Sequence, residues 1–284
     1  MNEKNKLTSI VPGGDRVAMP EKHPFHLVDP SPWPFVAALS ILVLGIGAVL
    51  SMHKIDHGVF VLGVALLVAT FVGWWRDVLM ESNTSGAHTQ AVQNGLKIGM
   101  GLFIFTEVMF FGAFFWGYFH IALDPGDVIG GVWPPKGIIT IDPFDLPYLN
   151  TLLLLLSGTS ITWAHHEICL GRMSDAIKGL AVTICLGVVF TIVQALEYSH
   201  APFGFSGGIY PSLFYMATGI HGAHIIIGTI FLIVCWARTK NGEFTATHHV
   251  GFEAAAWYWH FVDVVWLFLF VSIYWWGYVP FMGS

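Results

Sequence analysis

Apolar residues in this chain gather into long runs separated by short polar breaks. The runs cover residues 34–52, 58–75, 98–119, 146–164, 179–196, 211–237 and 251–277. Each is close to the ~20 residues that an α-helix needs to cross a bilayer core of ~30 Å. The pattern predicts an all-α membrane protein with seven transmembrane helices. The break at 53–57 is so short that the first two spans form an antiparallel hairpin. The breaks at 76–97 and 120–145 are longer, and the second is rich in Pro and Gly. Four segments follow: a polar N-terminal tail at 1–32, a helix pair at 33–80, an inner-side loop at 81–97 and a bundle of helices three to seven at 98–284. The tail has no signal-peptide core, and its acidic residues argue against a transit peptide.

The last run organises the rest. Trp257, Tyr258 and Trp259 at one end mirror Tyr274, Trp275 and Trp276 at the other, the aromatic belts of a spanning helix. His260 and Asp263 lie inside it at i, i+3, on one face. Polar groups in a span are costly unless they face protein or water, so this helix has to pack against partner helices.

Composition agrees with the pattern: 55% of residues are hydrophobic and 11% charged, against about 25% charged in soluble domains. Seven spans put the termini on opposite sides. With the N-terminus inside, inner segments hold Lys4, Lys6, Arg16, Lys22, Arg76, Lys97, Arg172, Lys178, Arg238 and Lys240. Outer segments hold Lys54 and Lys136, which completes the chain's 12 basic residues. Basic residues collect on the cytoplasmic side, so the N-terminus is expected there, or in the matrix of a mitochondrion, with the C-terminus opposite. The net charge of -6 is therefore no guide to partners, and nothing points to nucleic acid.

Cys169, Cys185 and Cys235 lie far apart in apolar runs and are read as buried, inert thiols. The chain has 14 histidines, and imidazole is a common metal and haem ligand. His221 and His224 share a face of the sixth helix, and His165 and His166 end the fourth. Adjacent histidines point apart on a helix and do not chelate. His221, His224, His260 and Asp263 are therefore read as structural polar groups that bond to neighbouring helices, and no metal is assigned. Glu107 differs. Ten residues beyond Lys97, at ~1.5 Å rise each, place it ~15 Å deep, near the midplane. A buried membrane carboxyl is a candidate for proton handling; the other reading is a neutral group donating a hydrogen bond to a neighbouring helix. Because no second acid falls at matching depth along the sequence, Glu107 is expected to tune or to stabilise, not to relay protons. Trp75, Glu81, His88 and Arg238 fall near the inner face, where cation, imidazole and indole donors suit a phospholipid headgroup.

The chain resembles subunit III of haem-copper cytochrome c oxidase from about Trp33 to Gly277. The resemblance rests on Gly73-Trp-Trp75-Arg-Asp77, Glu107-Val-Met-Phe-Phe, Trp133-Pro-Pro and Leu149-Asn-Thr151. It continues through Ser157-Gly-Thr-Ser-Ile-Thr-Trp163-Ala-His165-His166, Gln194-Ala-Leu-Glu197-Tyr198 and Ala217-Thr-Gly-Ile-His221-Gly-Ala-His224. It ends in Phe252-Glu253-Ala-Ala-Ala-Trp257-Tyr-Trp-His260-Phe-Val-Asp263-Val-Val-Trp266. The short pieces are weak singly and specific together, in this order.

The resemblance implies helices one and two split from three to seven by a V-shaped, lipid-filled cleft. It implies no catalytic residue, metal or redox centre in this chain, with haem a, haem a3, CuA and CuB in partner subunits. The expected role is that of a non-redox subunit of a proton-pumping oxidase passing electrons from cytochrome c to O2. It stabilises subunit I and supports proton uptake, and oxygen access through bound lipid. Partners would be subunit I directly, subunit II, small subunits, phospholipid and a supercomplex with the bc1 complex, in a bacterial or mitochondrial inner membrane. The family often has His-His-Thr where this chain has Ala87-His88-Thr89, so one headgroup donor is missing. Other readings are subunit III of a quinol oxidase, a self-standing haem oxidoreductase, and a proton-linked transporter using Glu107 and the histidines.

Overall fold

The computed structural model describes residues 24–82 and 88–278. Those residues form seven α-helices and no strand. They are α1 (Trp33–Met52), α2 (Gly58–Ser82), α3 (Gln90–Leu123), α4 (Leu146–Cys169), α5 (Met173–His200), α6 (Ile209–Lys240) and α7 (Val250–Leu269). A π-helical turn, Phe270–Trp275, continues α7. The chain divides into two compact units on either side of Gly95. Most of residues 1–32, the expected tail, and the 83–87 part of the expected loop lie outside the described residues.

The helices outrun their apolar runs. Residues 90–97, expected as loop, are the first turns of α3, and α4 carries on past His165 and His166 to Cys169. A helix satisfies its own backbone, so it need not stop where hydrocarbon ends; polar residues simply take over its solvated ends. Six helices are long and apolar enough to cross a membrane, and α4 is not among them. The reason is composition. Asn150, Thr151, Ser157 and Ser160 are buried on α4, where they meet other helices and not lipid.

In the first unit α1 and α2 form a hairpin built on close approach. A Cβ at Gly63 would come within 2.5 Å of the Leu44 Cα, and one at Gly47 within 2.5 Å of the Phe60 Cα. Small residues allow such contact, which in lipid replaces the hydrophobic drive. Ser40 and Thr70 hydroxyls meet across the pair at 3.1 Å, and Trp33 Nε1 donates to Asp77 at 2.5 Å. In the turn, Asp56 caps α2 by accepting from the Gly58 and Val59 N–H groups at 2.9 and 3.1 Å. The Gly58 bond, then the Val59 bond, hold its carboxyl below the ordinary range. This cap is in place above the usual Asp range and is lost as pH falls through the lowered value.

In the second unit α7 is the core. Trp259 and Trp266 are almost wholly buried. Trp259 Nε1 donates to Ser157 on α4 at 2.8 Å. Its ring fills notches left by Gly187 on α5 and Gly228 on α6, where a Cβ would lie 2.6 and 3.0 Å away. Trp266 Nε1 donates to Thr151 on α4 at 2.9 Å, and its ring meets Phe190 of α5 at 4.9 Å and His221 of α6 at 5.3 Å. Two indoles thus key one helix to three.

Gly63→Val should cost about 1–3 kcal/mol through overpacking, read as loss of thermal stability in detergent. Gly45→Ala should be tolerated, since nothing lies within 4 Å of a Cβ there. Ser157→Ala should cost about 1–3 kcal/mol, because the Trp259 N–H loses its acceptor while staying buried. Thr159→Ala is the control, its exposed hydroxyl bonding only to Leu156 O of its own helix.

Candidate functional site

Glu107, on α3, meets His224 of α6: Oε2 lies 2.9 Å from Nε2. The other ring nitrogen, Nδ1, lies 2.8 Å from the Ile220 carbonyl. A carbonyl only accepts, so Nδ1 carries a hydrogen. One proton then lies between Nε2 and Oε2. Either a carboxylic acid donates to neutral imidazole or imidazolium donates to carboxylate, and the pair is neutral overall in both. Phe111 packs on the imidazole at 4.9 Å and Tyr258 stacks at 6.3 Å. The pair is partly buried in aromatic surroundings, where attraction between partners is strong and a lost partner is costly. Glu107 is therefore not the lone carboxyl that its depth along the sequence suggested; its partner is itself titratable.

Of the other predicted polar groups of the bundle, His221 and His260 bond to neighbouring helices. His221 is fully buried, with Nε2 3.1 Å from the Val262 carbonyl of α7. His260 Nε2 lies 3.2 Å from Thr162 Oγ1 of α4. Asp263 is buried and faces α4 at Gly158, where a Cβ would lie 2.9 Å from Oδ2. Glu197, near the end of α5, is buried. It accepts from Tyr274 at 2.6 Å and from Gln194 at 3.1 Å, and Gln194 accepts from Asn150 at 3.2 Å. The cysteines also differ from expectation: Cys235 is buried, but Cys169 and Cys185 are exposed. An apolar run does not distinguish an exposed position from a buried one.

The predicted headgroup residues fall in both units. In the first, Trp75 is exposed beside Phe71, 5.8 Å between rings. Glu81 and His88 meet through a residue that the sequence did not single out. His26 lies 3.9 Å from the Glu81 carboxylate, with its ring 6.2 Å from that of His88. Pro24 O accepts from Thr89 at 2.5 Å, so the segment leading into α1 rests against the start of α3. In the second unit Arg238 Nε donates to Glu243 at 2.8 Å and the guanidinium lies 4.6 Å over Phe244. A protein carboxylate thus shares the arginine expected to bind phosphate. Lys97 and Glu253 pair at 2.6 Å between α3 and α7, a contact with no signal in sequence spacing. Also in this unit, α3 and α7 border an apolar groove of about 730 Å³ lined by Val108, Phe115, Val264 and Phe268.

These features define an all-helical, multi-pass membrane protein whose buried polar groups tie its helices to one another. The chain matches the family model for cytochrome c oxidase subunit III over residues 23–278. It is 56% identical over 262 residues to cytochrome c oxidase subunit 3 of Pylaiella littoralis, covering 92% of this chain and 96% of that one. It is 56% identical over 259 residues to the Triticum aestivum protein of that name, covering 90% and 98%. For the Danio rerio protein the identity is 52% over 257 residues, with the same coverage of 90% and 98%. The chain belongs to the cytochrome c oxidase subunit III family, and so is a subunit of an oxidoreductase complex in the respiratory chain. The free-standing haem enzyme and the transporter are set aside.

The Glu107–His224 contact can be weighed by a double-mutant cycle of Glu107→Leu and His224→Leu. Each single variant strands a polar partner, so thermal stability should show a coupling of about 0.5–3 kcal/mol. Glu107→Gln, which keeps a hydrogen-bonding group, should lose less than Glu107→Leu.

Proposed function

We propose that this chain is a non-redox subunit that stabilises the catalytic subunit I of its oxidase and supports proton uptake on the inner side. The observation that carries this is the Glu107–His224 pair, a closed, net-neutral unit between α3 and α6. Proton relays in membranes are chains of ionisable groups. A pair that shares one proton inside an aromatic shell fits tuning and helix docking better than long-range transfer. Haem a, haem a3, CuA and CuB belong, on this reading, to the partner subunits, with direct contact to subunit I and further contacts to subunit II and small subunits. A supercomplex with the bc1 complex and oxygen access through lipid complete it. The donor is cytochrome c, in keeping with the relatives' names.

The same proposal counts α4 as the seventh span, with the N-terminus on the cytoplasmic or matrix side. It also includes phospholipid in the cleft that the family resemblance implies. What supports lipid in the first unit is the cluster of Glu81, His26 and His88 near the end of α2, with Trp75 exposed on that helix. In the second unit it is Arg238, whose planar fork suits phosphate, and, separately, the apolar groove bordered by α3 and α7.

Two measurements test the proposal. An oxidase carrying Glu107→Gln should assemble and pump protons at near-normal stoichiometry. Loss of pumping with haem content intact would place Glu107 in the proton path and defeat the tuning role. Arg238→Ala should release phospholipid from the purified complex and leave the haem spectra unchanged. Glu243→Gln should retain the lipid; equal lipid loss in both variants would make Arg238 a partner of protein only.

A further inference from the structure

At the end of the bundle where α4 stops and α7 begins, three ligand-type side chains converge. His165 and Cys169 are one helical turn apart on α4 and share a face. His249, just before α7, comes against them. The three ligand atoms lie within 4.8 Å of one another. Cys169 Sγ is 3.8 Å from His249 Nε2, and the two imidazoles stand edge to face at 5.4 Å. This departs from the sequence reading, which took the cysteines as inert and assigned no metal. The histidines that converge here are not the adjacent pair 165 and 166. One is on α4 and the other is the residue just before α7, with a thiol between them.

Two further details prepare the cluster for a cation. His249 Nδ1 lies 2.9 Å from the Thr245 carbonyl, so Nδ1 carries the hydrogen and Nε2 presents its lone pair toward Cys169. A metal-binding histidine is usually held in this way by its second nitrogen. His165 Nε2 is buried and meets no hydrogen-bonding group among the described residues. A buried imidazole nitrogen without a partner costs free energy, and a metal ion would satisfy it. A carboxylate stands beside them: Glu253 Oε1 is 3.5 Å from His249 Nε2. Its other oxygen pairs with Lys97 at 2.6 Å, so the lysine charge near the site is already offset.

We propose that His165, Cys169 and His249, with Glu253 as fourth ligand, form a zinc(II) site that clamps the end of α4 to the start of α7. Two imidazoles, a thiolate and a carboxylate are a borderline-soft donor set that suits zinc over the oxygen-seeking calcium and magnesium. In tetrahedral zinc, with bonds of about 2.0–2.3 Å, neighbouring ligand atoms are roughly 3.3–3.6 Å apart. The sulfur–nitrogen separation is already near that; the three atoms within 4.8 Å of one another draw together by rotamer changes, and Glu253, 3.5 Å from His249 Nε2, turns its carboxylate toward the ion. Binding forms Zn–N, Zn–S and Zn–O bonds, and the Cys169 thiol proton passes to solvent. Cys169 is exposed, so the ion has a way in.

The test uses the intact oxidase complex, stripped with a chelator, incubated with zinc and desalted. Zinc bound per complex should fall by one ion in Cys169→Ser and in His249→Gln relative to the parent, with oxidase turnover unchanged. Affinity at this site should drop by more than the ~10–100-fold that loss of a mere supporting group causes. Zinc should also slow maleimide alkylation of Cys169, located by peptide mass, and leave any labelling of Cys185, on α5, unaffected. Equal zinc content in parent and both variants, or alkylation of Cys169 indifferent to zinc, overturns the site. Loading by copper(I) to the exclusion of zinc overturns the choice of metal.

Discussion

The hydrogen bonds of α7's two buried indoles are the contacts on which the second unit depends. In hydrocarbon, helices gain little from burying apolar surface against one another, because lipid is as apolar as they are. What selects one arrangement is packing shape together with polar groups that lipid cannot satisfy. Trp259 and Trp266 supply both. Each ring needs a notch, given by Gly187 and Gly228 for the first and by Phe190 and His221 for the second. Each N–H needs an acceptor, and α4 provides Ser157 and Thr151. Those acceptors lower the apolar character of α4 on the face it turns to its neighbours.

The same logic runs through the rest of the unit at lower intensity. Ser160 and Thr183 hydroxyls meet at 2.7 Å between α4 and α5, and Tyr198 donates to Thr218 at 2.7 Å between α5 and α6. Near the π-helical turn, Tyr274 and Gln194 both donate to Glu197. Helix α3 is fastened to its neighbours by ionisable and aromatic groups: Lys97 to Glu253, Glu107 to His224 and Tyr118 to the Ser272 carbonyl. The first unit is held differently, by glycine-permitted backbone contact and the Ser40–Thr70 pair, with large apolar side chains turned outward along α1 and α2.

Glu107 illustrates how context changes a group's chemistry. Alone in hydrocarbon, a carboxyl favours its neutral form. Beside His224, whose Nδ1 is committed to a carbonyl, it shares a proton with a base, and two proton positions are available at no change in net charge.

Much was legible along the chain. The apolar runs marked all seven helices, because a bilayer imposes a minimum length that no loop imitates. The hairpin break was equally plain, and the order of the motifs was enough to suggest the family. The aromatic belts of the final helix held only in part: Trp257, Trp275 and Trp276 are exposed, while Tyr258, Trp259 and Tyr274 are buried in the bundle. Glu107 stood out because a charge inside such a run is rare. What only tertiary structure decided was pairing. Nothing at Glu107 names His224, 117 positions away, and nothing at Lys97 names Glu253. Burial within a run was also hidden: Cys235 and Cys185 look alike in sequence, yet one faces helices and the other does not. The reason is physical. Hydropathy reports the choice between water and an apolar phase, and in a membrane protein lipid and the protein interior are both apolar, so which neighbour a side chain meets is settled by packing alone.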